Sequence, residues 1–200
     1  AFMRAAPAYD IAALVTMFGE DGTRSRSHGL TPEVIRAQAE RLRLPVHLER
    51  CSWQTYTDQY LALLGQLPQH DITHVIFGDI MGETHREWNE RVCAHHGLTA
   101  VMPLWKESTL SLAQDFIARG GDARFVTVRP PMLDQSWLGG KLDEDALVRL
   151  QAVGADPCGE LGEYHTVVAN CPAFSAPLDL VPGRQVLSGG CWAMDFSIRD

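Results

Sequence analysis

Apolar and polar positions alternate along this chain in blocks that switch between a strand-like and a helix-like period. Ile11-Ala-Ala-Leu-Val-Thr-Met-Phe18 is a short β-branched apolar run, the pattern of a buried strand. A polar loop follows from Gly19 to Gly29. Thr31-Pro32-Glu33 then opens a helix: Thr31 can cap it, Pro32 suits its first turn, and Glu33 favours the positive end of its dipole. That helix runs through Val34, Ile35, Gln38 and Leu42 and stops before Pro45. The spacing next predicts a strand over 46–50, a helix over 55–67, a buried strand over 74–80, a helix over 85–96 and a strand over 99–104.

This regular alternation implies an α/β fold, a parallel-stranded sheet flanked by helices. Such sheets bind ligands at the carboxyl ends of their strands, which here are Phe18-Gly19, Gly78-Asp79 and Leu104-Trp105. The rhythm changes after Trp105. A helix over 108–119, a strand over 123–128, a helix over 143–153 and strands over 164–169 and 185–187 predict a smaller C-terminal α+β domain. We place the division between 1–107 and 108–200.

Composition narrows the function. The net charge of −8 argues against a nucleic-acid partner, which needs a basic face. No run of 18 apolar residues predicts a membrane span, and Ala1–Pro7 is too short and too weakly apolar for a secretory signal. Five dispersed cysteines without a CxxC pair fit reduced thiols in the cytoplasm and make zinc a weak expectation. Arginine outnumbers lysine 15 to 2, a composition common in G+C-rich bacteria.

The densest chemistry lies in Asp156-Pro-Cys-Gly-Glu-Leu-Gly-Glu-Tyr-His-Thr166. It carries more polar groups than a chain reversal needs. Glu160 and Glu163 could bind an amino group or ammonia, hold magnesium, or act as general base for an incoming amine. The bland account is a rigid turn whose acids cap nearby N–H groups. Cys158 as nucleophile has only His165 as a candidate base in the same stretch.

In order and spacing, a set of segments resembles the ATP-binding family that includes diphthine–ammonia ligase. They are His28; Ile35-Arg-Ala-Gln-Ala-Glu-Arg-Leu-Arg-Leu-Pro45; Phe77-Gly-Asp-Ile80; Arg86-Glu-Trp-Asn-Glu-Arg-Val-Cys93; Pro103-Leu-Trp105; Trp137-Leu-Gly139; 156–166; and Pro172-Ala-Phe174. That family comprises ATP pyrophosphatases of the PP-loop type, with an adenine-nucleotide α-hydrolase-like, Rossmann-type fold. The resemblance implies ATP and Mg²⁺, an adenylated carboxylate or amide oxygen with loss of pyrophosphate, and attack by ammonia or an amine. It also implies an adenine-nucleotide-binding domain over 1–107 and a substrate-binding domain over 108–200.

Two features depart from the family. Its Ser-Gly-Gly-Lys-Asp-Ser segment does not occur here. Ala1–Pro7 resembles the tail of the helix which that segment opens, so the first strand and phosphate loop are expected to be missing and ATP binding to be weak. Ser188-Gly-Gly190 resembles the segment only superficially. Second, Glu163-Tyr-His165-Thr looks more like bacterial relatives than the ligase, which tends to carry an acid at that position. Diphthamide belongs to archaeal and eukaryotic elongation factors, so the substrate is left open.

The resemblance implies Met17, Phe18, His28, Gly78 and Arg86 as nucleotide-binding residues, and Trp105, Gly159, Tyr164, His165 and Thr166 as substrate-binding. Asp79 joins Glu160 and Glu163 as catalytic and is also a candidate magnesium ligand. Each has an ordinary alternative: Asp79 as a helix cap, Arg86 as a solvated side chain, Trp105 as packing, His28 as a loop histidine. A non-catalytic adenine-nucleotide-binding module is the other reading of the whole chain, and a homo-oligomer is left open.

Overall fold

The computed structural model describes residues 1–67 and 71–199. The chain forms two compact units, one of Ala1–Gly22 and Pro45–Glu107, the other of Thr23–Leu44 and the residues from Ser108 onward. The segment Thr23–Leu44 therefore packs with the second unit, although it lies within 1–107.

In the first unit, α1 (Phe2–Ala5) precedes β1 (Leu14–Phe18), which pairs in parallel with β2 (Val46–Arg50) from Leu14↔Val46 to Phe18↔Arg50. A second parallel pair joins β3 (His74–Ile76) to β4 (Thr99–Val101). Helices α3 (Tyr56–Leu64) and α4 (Glu83–Ala94) pack with these pairs around Met17, Tyr60, Leu63, Leu64, Val92 and Cys93. The expected single sheet is thus two parallel pairs among the described residues. Hydrophobic period identifies strands but not which edges bond. The 74–80 run is also shorter and less buried than expected. Phe77 N–H still bonds Val101 O at 2.9 Å, and the chain then leaves the ladder at Gly78.

In the second unit, α2 (Pro32–Leu42) starts as its sequence dictates, with Thr31 Oγ1 accepting from Val34 N–H at 3.4 Å. An antiparallel sheet has the order β6-β5-β8-β7. Its strands are β5 (Asp122–Val128), β6 (Tyr164–Asn170), β7 (Leu180–Ser188) and β8 (Cys191–Ile198). Packed with it are α5 (Thr109–Ala118), capped by Ser108, and α6 (Glu144–Ala152), capped by Asp143. Their core includes Phe125, Val128, Leu147, Leu150 and Tyr164. A second core joins Leu30 and Val34 to Val126, Val167 and Phe196. Burying two faces of one sheet explains why 23–44 belongs here.

The strand expected at 185–187 extends to the whole of β7, and β8 was not expected. Ser188-Gly-Gly190 is the turn between them. Ser188 pairs with Cys191, and Gly189 and Gly190 have φ of 58° and 80°. Two consecutive positive φ values are what a two-residue hairpin turn requires, so these glycines serve chain reversal.

Candidate functional site

The strand ends of the first unit gather part of the expected chemistry. Met17 and Phe18, expected to bind the nucleotide, are 6% and 1% exposed, so both fill the core, and Phe18 O already accepts from the Cys51 N–H at 3.0 Å. Gly78 has open space: a Cβ there would meet nothing closer than 4.0 Å. Asp79 is half-buried beside it. One carboxylate oxygen accepts from Asn89 Nδ2 at 3.0 Å and the other lies 3.5 Å from His85 Nδ1. Asp79 does not cap α4. That place belongs to Gly82, with φ of 93°. Asn89 was missed in the sequence because nothing marks one polar residue on a charged helix as facing inward, and His85, 73% exposed, reads as an ordinary solvated side chain. Asn89 is only 4% exposed.

Arg86 is engaged within its own helix. Its Nε donates to Glu90 at 2.8 Å, Glu83 is 3.5 Å away, and the guanidinium lies 5.6 Å from the Trp105 ring. The buried Trp105 indole N–H has no hydrogen-bond partner among the described residues. An orphaned buried donor is costly in a folded protein, which makes Trp105 a candidate ligand contact.

In the second unit, the 156–166 loop binds itself. Asp156 accepts from the Cys158 and Glu160 backbone N–H groups at 2.8 and 3.3 Å, and from Thr109 Oγ1 at 2.7 Å. Glu163, 6% exposed, accepts from the Asp156 N–H at 2.8 Å and the Leu161 N–H at 3.0 Å. Tyr164 donates its hydroxyl to Pro157 O at 2.6 Å. Gly159 has φ of 70°, and a Cβ there would lie 2.7 Å from Tyr164 O. Much of the loop's polar density therefore closes the loop. Glu163 and Tyr164 point inward, whereas Glu160 is half-buried on it. Cys158 donates to Thr109 O at 3.2 Å, and burial, followed by Asp156 and Glu160, pushes its thiol up to about 12. That thiol is not a nucleophile at neutral pH.

Thr166 pairs with Phe125 across the sheet, and His165 pairs with Thr127. The register shifts at this point because β5 carries one residue more than β6 between these pairs. His165 lies two residues before Val167, on the face that packs against α2. His28 meets it there, with ring centroids 4.9 Å apart and the planes tilted by 57°. The 25–30 loop is pinned beneath. Ser25 and Leu30 exchange two bonds at 2.9 and 3.0 Å, and Arg24 bridges to Asp195 of β8 at 2.8 Å. Crowding by protein, followed by the other imidazole, lowers the His28 pKa. Burial, followed by Arg129, lowers that of His165. His28 still has exposed surface despite that crowding, so the direction of its shift outweighs its depth.

Metal chemistry fits this framework sparsely. Among the described residues no three His, Cys, Asp or Glu side chains group as metal ligands. Asp79 alone could hold magnesium, with phosphate oxygens and water completing the shell.

Residues 1–100 match the diphthamide synthase N-terminal domain and residues 108–195 the C-terminal domain of the same family. The chain is 29% identical over 188 residues to a diphthine–ammonia ligase of Schizosaccharomyces pombe, covering 83% of this chain and 31% of that protein. It is 30% identical over 143 residues to that of Bos taurus, covering 70% of this chain and 53% of the relative, and 29% identical over 129 residues to that of Homo sapiens, covering 62% and 48%. The chain thus spans between about a third and a half of these relatives' lengths. With both family domains matched in order across nearly all of its length, the chain belongs to the diphthamide synthase family.

Proposed function

We propose that this protein is an ATP-dependent ligase that joins ammonia or an amine to a carboxylate. Nucleotide contacts are assigned within the first unit and substrate contacts within the second. The observation that carries this reading is Asp79. Its carboxylate is held in place by a buried amide at the end of a parallel strand, beside a glycine with room for a ligand. Open α/β sheets bind their ligands at such ends.

ATP supplies the activating chemistry. A substrate carboxylate oxygen bonds to the α phosphorus as the bond to pyrophosphate breaks. The amine nitrogen then bonds to the acyl carbon as AMP leaves, and one proton passes from nitrogen to a base. Within the first unit, Gly78 allows backbone approach of the nucleotide, Asp79 offers a carboxylate for magnesium, and Trp105 offers an indole N–H. In the second unit Glu160 is the acid we assign to the substrate side, and Glu163 is committed to the loop. Its role is to hold Glu160, Gly159 and the strand bearing His165 and Thr166 in one geometry. Preorganised donors and acceptors of this kind contribute more than covalent help in such reactions.

The test is release of AMP and pyrophosphate from ATP, with ammonium and a panel of small carboxylates. Asp79→Asn should reduce turnover by about two orders of magnitude or more, the usual weight of a positioned acid or base. Nucleotide binding without any AMP or pyrophosphate would make the protein a binding module instead.

A further inference from the structure

We propose that the His28 and His165 imidazoles and the Arg129 guanidinium form a binding site for an oxyanion, a carboxylate or a phosphate group. The site lies on the second unit, and it rests on the ligase reading only for calling the anion part of a substrate.

Three observations carry it. The two rings touch, yet neither makes a hydrogen bond through its side chain among the described residues, so their N–H donors are not consumed by protein. Arg129 continues β5 beyond Thr127, the partner of His165, and its backbone N–H bonds Glu163 O at 2.8 Å. Its guanidinium lies across Gly162, 3.1 Å from where a Cβ would stand. Finally, no carboxylate of the described residues pairs with that guanidinium. The nearby acid of the loop, Glu163, is turned inward onto the Asp156 and Leu161 N–H groups.

The charged and titratable groups bearing on the pair are thus Arg129 on His165 and His165 on His28. A cation would add to the Arg129 charge with only two nitrogen ligands to hold it, and no third ligand joins them among the described residues. An oxyanion reverses that balance. It pairs with the guanidinium in a charge-assisted fork and accepts from two imidazole N–H groups. Binding should also draw protons onto the rings, since a neighbouring negative charge favours the imidazolium.

Inorganic phosphate and succinate, titrated separately into the protein at low ionic strength, test this by the ring-proton NMR signals of the two histidines. Either anion should move both signals saturably. Arg129→Gln should weaken binding about tenfold or more, the worth of one charge-assisted bond. Arg129→Lys, which keeps the charge, should retain part of it. Phosphate binding tighter than succinate would make the natural ligand a phosphate-bearing group, and the reverse a carboxylate. The proposal is overturned if neither anion moves the signals up to about 50 mM, where even a ~2 kcal/mol site fills appreciably. Unchanged affinity in Arg129→Gln, or zinc binding in preference to both anions, would also overturn it. AMP release without anion binding would sink this inference and leave the ligase reading intact. Anion binding without AMP release would do the opposite.

Discussion

Replacing Glu163 by glutamine removes one charge and exchanges one oxygen for an NH₂ group, at almost constant volume. In the native loop both oxygens accept backbone N–H bonds, at 2.8 Å from Asp156 and 3.0 Å from Leu161, and the residue is 6% exposed. Glutamine can keep one of these as a neutral bond. The other N–H then faces an amide NH₂, donor against donor, with little water to relieve it. A hydrogen bond to a charged group contributes about 1.5–3 kcal/mol and a neutral one about 1 kcal/mol. Losing one bond and weakening the other therefore costs about 2–4 kcal/mol. For a chain of this size that lowers Tm by roughly 5–15 °C. Glu160→Gln removes the same charge three residues away from a half-buried side chain, and its thermal cost should stay under about 1 kcal/mol. Its effect should fall on turnover instead. Scanning calorimetry of the two variants, followed by AMP release at a temperature where both are folded, separates the roles. Should Glu163→Gln melt within a degree or two of the parent, Glu163 does not hold the loop, and its assignment as a positioning residue fails.

Gly159→Ala tests the loop from its backbone: a Cβ at φ of 70° and 2.7 Å from Tyr164 O should cost about 2–3 kcal/mol, measured by urea unfolding. Tyr164→Phe leaves Pro157 O without its donor and should cost about 1–2 kcal/mol in the same assay. The histidine pair sets an acid limit. His28 falls from an ordinary 6.5 to about 4 in the folded state, so the unfolded chain binds more protons between those values. Stability should therefore be complete above about pH 6.5 and decline as pH drops toward 4. The contribution is reduced by the exposed surface of His28. His28→Gln should flatten that slope, and an unchanged slope in pH-dependent melting would remove His28 as its cause. Asn89→Ala should leave Asp79 without its buried donor. Turnover would drop while Asp79→Asn in the same background adds little more, a non-additivity read from a double-mutant cycle.

The difference between the legible and the illegible parts of this molecule is one of range. Thr31-Pro32-Glu33 opens α2, and Asp143 and Ser108 cap their helices, because a cap is settled within three or four residues. Pairing is settled by what lies far along the chain. The run at 74–80 reads as a buried strand, but its burial depends on neighbours, and here three residues pair on one side before Gly78 leaves the ladder. Strand β8 was not legible because its positions do not alternate between buried and exposed: half-buried ones run through it.

The 156–166 loop shows the same limit in its chemistry. Its concentration of acids and glycines was visible, and so were both explanations for it. Composition could not decide which oxygen would face a ligand and which a backbone N–H. That is a matter of a side chain turning about its own Cα. Glu163 turned inward, and the region's uncommitted donors lie instead at His28, His165 and Arg129, contributed by three separate stretches of chain. Only the sheet register, Thr127↔His165, and the packing of the 25–30 loop bring those stretches together. In the oxyanion site we propose, the loop's most polar residues build the frame, and the group that selects the ligand joins His28 and His165, which the resemblance had marked for separate roles, to Arg129, which it had not.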